Sequence, residues 1–306
     1  MNQPTTMLPR DMQLTNEYRF SRKHIDGYID REIRENPDME AKVAQGVQLL
    51  EDWRSKSYYD SKNARLAQLE HIDLEHVVRR IFIQAAYCQI PELFTSVTAQ
   101  LAAVLKFSDK ADGILTIAEM VAIVCITDAY DIVKPTPASS LQVVSRIPLS
   151  EKLLTYVMNS SYLPPMVCPP EILTKNMQSA YLTHDDSLIL GKGNHHSGDI
   201  CLDVLNIQNN TPLCLNTDFL SQVEEVPTFE IKDQSQQEQW DRFKQQSHEL
   251  YKLMVKQGNR FYLTHKVDKR GRIYAQGYHI STQGTSYKKA SVDFADMEPV
   301  SGVPEL

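Results

Sequence analysis

The sequence predicts a mainly α-helical N-terminal part followed by an α+β C-terminal part. Charged and apolar residues recur at helical spacing between residues 21 and 59, and a break at Pro37 separates two amphipathic helices. Stronger apolar periods at 74–107 and 114–133 predict the buried centre of a helical domain. From residue 162 onward, short apolar runs separated by turns favour short strands and helices.

Changes of pattern divide the chain into four expected segments. A helical period at 236–257 ends at Gly258, a natural C-terminal stop, and a period of two follows it. The prolines and serines of residues 134–140 indicate a boundary or a surface loop. The expected segments are a helical N-terminal domain at 1–160, a mixed connector at 161–235, a long helix at 236–258 and a C-terminal segment at 259–306.

Composition is that of an ordinary globular protein. The 306 residues include 42% hydrophobic and 23% charged residues, enough for two or three subdomains. The first residues carry charges and prolines where a signal peptide needs an apolar core, and no apolar run approaches the roughly 20 residues of a membrane span. A cytoplasmic protein is therefore expected. Five widely spaced cysteines without a CxxC pair indicate reduced core thiols and no zinc site.

Charge is unevenly distributed along the chain. The formal net charge is −7, yet residues 251–290 contain nine Lys or Arg against one acid, Asp268. This stretch carries +8, so the remainder carries −15. Such asymmetry is typical of a local polyanion site on an acidic body, and a solvated basic face is the alternative.

A period of two marks residues 261–276, FYLTHKVDKRGRIYAQ. Phe261, Leu263, His265 and Val267 would share one strand face. Beyond a kink at Asp268-Lys269, Arg270, Arg272 and Tyr274 would share a face, with Gly271, Ile273 and Ala275 opposite. Two guanidinium groups and a phenol would then lie side by side. Gly271 lacks a side chain, so the backbone could approach a ligand closely.

These residues resemble the single-subunit RNA polymerase family of phages and mitochondria. Its motif is an aromatic-rich strand, a polar residue, Asp-x-x-Gly-Arg and an aromatic, here FYLTHKVDKRGRIY. Gln283-Gly284 and Lys289 stand at the family's offsets, and residues 292–304 look like its apolar helix and Gly-x-Pro turn. The helix ending at Gly258 is similar to the second thumb helix.

Two upstream segments, Pro164 to Pro170 and Leu205 to Asn216, also resemble family segments in sequence and order. The resemblance covers about the last half of the chain. Departures are Lys269 in place of an aromatic, Thr264 in place of a proline and Leu213 in place of a tryptophan. The family's catalytic aspartate motifs would follow Leu306, so the chain resembles the smaller subunit of a split podovirus middle-transcription polymerase.

The resemblance implies the N-terminal domain, thumb and first part of the palm of a right-hand polymerase fold. It implies that Arg270, Arg272 and Lys289, around Gly271, contact the template and RNA:DNA hybrid backbone. Asp268 and Gln283 would orient them, with His265, Tyr274 and Gly284 in support. Catalytic residues and the ligands of two Mg²⁺ ions would lie on an obligate partner chain carrying palm and fingers. The enzyme would act on a DNA template and nascent RNA in the cytoplasm of an infected bacterium.

Four other patterns suggest chemistry weakly. His184-Asp185-Asp186-Ser187 is similar to a polymerase metal motif but stands in the wrong order, which favours a polar turn. Asp109 to Glu119 lacks two ligands of a calcium loop, which favours a helix cap. Gly191-Lys192-Gly193 lacks the first glycine of a P-loop, and His195-His196 near Asp199 is expected in a polar loop.

Two alternative functions remain open. The chain could be a non-enzymatic single-strand nucleic-acid-binding protein that stacks bases on Tyr274, Tyr278 and Tyr287. It could also be a structural protein whose acidic helical half docks elsewhere. A copurifying chain with a polymerase palm would favour the polymerase over both.

Overall fold

The computed structural model describes residues 7–135, 140–160, 162–191, 194–297 and 302. Contacts divide the chain into two compact units. One, here the helical unit, is Arg22–Ser160; the other, here the mixed unit, combines Met1–Ser21 with Ser161–Leu306. Residues 1–21, expected in the N-terminal domain, are therefore grouped with the C-terminal part.

The elements follow one another as short helices and shorter strands. The helices are α1 (Pro9–Phe20), α2 (Arg22–Glu35), α3 (Pro37–Arg54), α4 (Asp60–Ala67), α5 (Leu74–Ala86), α6 (Phe94–Leu101), α7 (Lys110–Val124), α8 (Glu151–Asn159), α9 (Leu202–Asn209), α10 (Thr217–Gln222), α11 (Gln234–Lys256) and α12 (Ser286–Ala290). The strands are β1 (Glu92–Leu93), β2 (Tyr130–Val133), β3 (Gln142–Ser145), β4 (Leu213–Leu215), β5 (His265–Val267), β6 (Ile273–Ala275) and β7 (Val292–Phe294). In the part of the chain described, no helix combines the length and apolarity needed to cross a bilayer.

The helical unit is built on amphipathic helices around one core. The predicted break at Pro37 is confirmed: Asn36 caps α3, its side chain accepting hydrogen bonds from the backbone N–H groups of Asp38 and Met39. Ile25, Ile29 and Ile33 recur every four residues along α2 and are fully buried. Burial of each such side chain contributes roughly 1.5 to 3 kcal/mol.

The helix expected to continue to residue 133 ends earlier. α7 stops at Val124, a 3₁₀ turn follows at Cys125–Thr127, and Asp128 adopts a left-handed φ of 61°. The chain then runs as β2, which pairs antiparallel with β3 in a sheet of order β1-β3-β2. Residues 136–139 of the predicted loop lie outside the described residues.

Among its described residues, the mixed unit has three small clusters of apolar side chains and two two-stranded sheets. One sheet pairs β4 with β7 in the register Leu213↔Phe294, and the other pairs β5 with β6. The apolar helix expected from residue 292 is therefore a short strand, and Pro304 of the Gly-x-Pro turn lies outside the described residues. The assignment of these parts as thumb and palm stays a prediction.

Helix α1 is anchored through a polar face. Gln13, Asn16 and Glu17 are its buried residues. The Glu17 carboxylate accepts hydrogen bonds from the backbone N–H groups of Leu182 and Thr183 at 2.9 and 2.7 Å, and from the Thr183 hydroxyl at 2.6 Å. Burial acts to raise the pKa of Glu17, but hydrogen bonds from His184, Gln13, Thr183 and Leu182 lower it to about 2.

This anchor makes stability depend on pH. Because the pKa of Glu17 is lowered on folding, its contribution is complete above the ordinary value of 4.5 and is lost as pH falls toward 2. The shift corresponds to roughly 3 kcal/mol. Glu17→Gln is expected to lower the melting temperature at pH 7 and to flatten its fall between pH 5 and 2.5. The control is Glu249→Gln, on an exposed α11 side chain; equal pH curves for wild type and Glu17→Gln would contradict the assignment.

Candidate nucleic-acid interface

The Asp-x-x-Gly-Arg segment forms the turn of a β-hairpin. β5 and β6 pair antiparallel with His265 opposite Ala275 and Val267 opposite Ile273. The Asp268 backbone N–H donates to the Arg272 carbonyl at 2.9 Å, and the Gly271 N–H donates to the Asp268 carbonyl at 2.9 Å. Arg270 lies in this turn, so the expected strand face does not include it. Arg272 and Tyr274 both follow the reversal, as expected for neighbours on one face.

Gly271 makes the reversal possible through its backbone conformation. Its φ is +81°, in the left-handed region that L-residues with a Cβ rarely adopt. A Cβ at this position would meet nothing within 4 Å, so space is not the constraint. The sequence reading of Gly271 as a site of close ligand approach stays a prediction.

The Asp268 carboxylate organises the turn. One oxygen, Oδ1, accepts from the backbone N–H groups of Arg270 and Arg272 at 2.8 and 3.0 Å. The other, Oδ2, accepts from Arg272 Nε at 2.7 Å and lies 2.7 Å from Arg272 Nη2. Partial desolvation raises the pKa of Asp268, but the hydrogen bonds from Arg272 outweigh it, so the pKa lies below its ordinary value. The carboxylate stays ionised and holds one guanidinium in place.

The cationic groups of the turn face solvent. The Arg272 side chain is 54% exposed and Arg270 is 71% exposed, with its Nη2 at 3.4 Å from the Asp268 carboxylate. Lys269 is exposed as well. The Arg272 guanidinium lies 5.6 Å from the centre of the Tyr274 ring. The Arg272 guanidinium has five N–H donors, and Asp268 contacts only the edge that contains Nε. The remaining donors are available to an anion from outside the chain.

Two polar side chains support the base of the hairpin. Asn209 Oδ1 accepts from the His265 backbone N–H at 2.8 Å and lies 3.0 Å from its ring Nδ1. Burial lowers the pKa of His265 to about 4, so the ring is neutral near pH 7. Gln283 donates to the Ile273 carbonyl at 3.2 Å and accepts from the Ala275 N–H at 3.1 Å. Gln283 was expected to orient the basic side chains; its amide instead bonds the backbone of β6.

The two upstream segments of the resemblance lie beside the residues that lead into the hairpin. Met166 and Tyr262 exchange backbone hydrogen bonds of 2.9 and 2.7 Å, and Leu213 and Phe261 exchange bonds of 2.8 and 2.9 Å. The Asn259 side chain bonds both the N–H and the carbonyl of Leu215. Segments far apart in sequence thus form one support for β5.

The two lysines of α12 differ from each other. Lys289 is exposed, as a phosphate-binding side chain must be. Lys288 is half-buried: its ammonium donates to the Tyr278 carbonyl at 2.7 Å and lies 5.0 Å from the Tyr278 ring centre. The short helix, capped by Thr285, turns Lys288 toward the aromatic side chains.

Acidic side chains from outside residues 251–290 lie next to some of the basic side chains in that stretch. Arg260 makes a double hydrogen bond of 2.6 and 2.8 Å with Asp296, which lies outside the counted residues 251–290. Lys266 lies 3.5 Å from Asp186. Acids from elsewhere therefore offset part of the local charge. Exposed cations remain at the hairpin turn, on Lys289 and on Lys256.

The weaker patterns have structural roles. Asp109 caps α7 by accepting from the Asp112 N–H at 2.9 Å, as expected. His184 lies 2.9 Å from the Ser21 hydroxyl in the anchor of α1, and His196 lies 3.0 Å from the Gly198 carbonyl. Residues 192–193 of the glycine-lysine pattern lie outside the described residues. Within the described ranges, no group of three or more His, Cys, Asp or Glu could hold a metal ion.

The hairpin defines a cation-bearing surface suited to a phosphate backbone. No family model matches the chain. Over 139 residues it is 30% identical to a protein described as a probable DNA-directed RNA polymerase from Gelasinospora sp. (strain G114). The match covers 42% of this chain but only 16% of that protein. The chain is thus a distant relative of a protein named as an RNA polymerase and spans a small part of its length.

A glycine comparison tests the turn. Gly271→Ala is expected to destabilise the protein by roughly 1 to 2 kcal/mol, because a Cβ opposes the left-handed backbone while touching nothing. Gly27, exposed inside α2 and equally free of contacts, is the control: Gly27→Ala should stabilise by roughly 0.5 to 1 kcal/mol. Urea unfolding measures both. Unchanged or increased stability of Gly271→Ala would exclude a conformational role for Gly271.

Proposed function

We propose that this chain is a subunit of a DNA-dependent RNA polymerase that grips the template and RNA:DNA hybrid through its hairpin. A partner chain would carry the catalytic aspartates and complete the palm. The observation that carries the proposal is the Asp268–Arg272 contact, which fixes an exposed guanidinium at the tip of a hairpin. The similarity to a probable DNA-directed RNA polymerase supports the same class.

The chemistry suits sequence-independent grip. A planar guanidinium can bind two phosphate oxygens at once, and fixing it beforehand reduces the entropy lost on binding. Arg270 and Lys289 add exposed positive charge. Each phosphate contact releases counterions, so affinity should fall with salt. The partner's carboxylates would hold two Mg²⁺ ions for nucleotidyl transfer, in the cytoplasm of an infected bacterium.

A non-enzymatic single-strand-binding protein is the second candidate, favoured by one observation. Of the three tyrosines named for stacking, Tyr278 is 40% exposed, whereas Tyr274 and Tyr287 are half-buried. This candidate needs no partner chain. Partner dependence of RNA synthesis therefore separates it from the polymerase subunit.

The isolated chain is expected to make no RNA, because the proposal places the metal-binding carboxylates on the partner. Affinity-tagged chain purified from its native source should carry a second chain, and the complex should extend RNA on a single-stranded template. The measurement is incorporation of labelled nucleotide by the chain alone, the complex and the mixed components. Synthesis by the chain alone would refute the divided enzyme.

Arg272→Lys is expected to lower elongation by the complex roughly tenfold to hundredfold. Lysine keeps the charge but replaces a planar fork with a flexible point donor. The matched control is Arg34→Lys, since Arg34 is 53% exposed and pairs with Asp30 at 2.7 Å in the helical unit. Thermal melting checks folding of both. Near-normal elongation by Arg272→Lys would show that this guanidinium makes no such contact.

A further inference from the structure

A cavity of about 580 Å³ opens in the mixed unit. Its walls come from residues 225–232, from α11, and from Tyr278, Thr285 and Lys288. This volume lies within the range of small-ligand pockets. No residue of the cavity was assigned to a site by the sequence except Tyr278, named as a stacking platform.

One wall is aromatic and held in place. Trp240 stacks on Phe243 with ring centres 5.3 Å apart and planes at 25°. Phe229 meets Trp240 edge-on at 6.2 Å, and Phe243 stacks in turn on His279 at 5.1 Å. His279 is buried and lies 2.8 Å from the Ser247 hydroxyl. The rings therefore form a preorganised face, on which a flat ligand loses little entropy.

The cavity is also lined by a carboxyl group that is largely removed from solvent. Glu225 is only 9% exposed and lines the cavity. Burial raises its pKa, while the charge of Lys288 opposes that rise. A largely buried carboxyl that borders a cavity can accept a hydrogen bond from a donor on a ligand.

The pair of Glu225 and Lys288 selects the kind of ligand. A cation would satisfy Glu225 but meet the ammonium of Lys288, and an anion would meet the carboxylate. A neutral, planar group that carries a donor beside an acceptor satisfies both and can stack on Trp240. Unpaired nucleobases have this combination of amino and carbonyl groups on one edge.

We propose that this cavity binds an unpaired nucleobase of a single-stranded nucleic acid, stacked on Trp240 and hydrogen-bonded by Glu225 and Lys288. The inference rests on the proposed function, because the strand would be held by its phosphates at the hairpin. Tyr278 follows Arg272 of the hairpin turn by six residues, so their Cα atoms are at most about 22 Å apart. One strand can therefore reach both places.

The test uses the full chain with Trp53→Phe, which leaves Trp240 as its one tryptophan. A single-stranded oligonucleotide should quench Trp240 fluorescence, and an abasic oligonucleotide with the same number of phosphates should not. Two variants test the contacts: Glu225→Leu, and Trp240→Ala made in the chain that keeps Trp53 and followed by fluorescence anisotropy of the oligonucleotide. Each should weaken binding of the base-containing strand at least about fivefold. Both should leave abasic binding unchanged.

Controls separate the inference from the proposed function. Tyr59→Ala removes an aromatic side chain, 65% exposed, from the helical unit and should change nothing. Trp240→Phe keeps a stacking ring and should bind nearly as wild type, which excludes misfolding as the cause. If binding depends on Arg272 but is equal for the base-containing and abasic oligonucleotides, the nucleobase proposal is overturned and the proposed function is not. No binding of either oligonucleotide would overturn both. If a copurifying chain, and not the oligonucleotide, shields the Glu225 carboxyl from chemical modification, the cavity binds a protein partner and the nucleobase proposal is overturned.

Discussion

The Asp268 carboxylate determines both the shape of the hairpin turn and the position of its cation. One oxygen takes two backbone N–H groups, which closes the turn, and the other takes the Arg272 guanidinium. Removing the charge while keeping the acceptor, as in Asp268→Asn, would separate these tasks. Because the same carboxylate performs both, the guanidinium is positioned only when the turn is formed.

The hairpin in turn depends on polar groups buried beneath it. Asn209 is fully buried and accepts twice from His265, while its Nδ2 has no partner among the described residues. Neutral His265 and the Gln283 amide complete the backbone hydrogen bonding around β5 and β6. Such networks specify one arrangement because an unpaired buried donor or acceptor costs about 1 to 3 kcal/mol.

Electrostatics act locally in this acidic protein. The net charge of −7 opposes general coating of nucleic acid, and several cations of the basic stretch already face acids such as Asp296 and Asp186. The exposed cations of this stretch lie at the hairpin turn, on α12 and, as Lys252 and Lys256, on α11. A surface of this kind favours contact with a few phosphates and weak binding elsewhere.

The sequence by itself determined the amphipathic helices, the break at Pro37 and the long helix ending near Gly258. These depend on local periodicity, caps and residues with restricted backbone conformations. The placement of α1 in the mixed unit is visible only in the tertiary structure. The buried face of α1 is polar, so its sequence has no apolar period from which the placement could be predicted. The tertiary structure also decided that the motif reverses direction, that Lys288 turns inward and that Glu225 enters a cavity, since partners distant in sequence determine these side-chain environments.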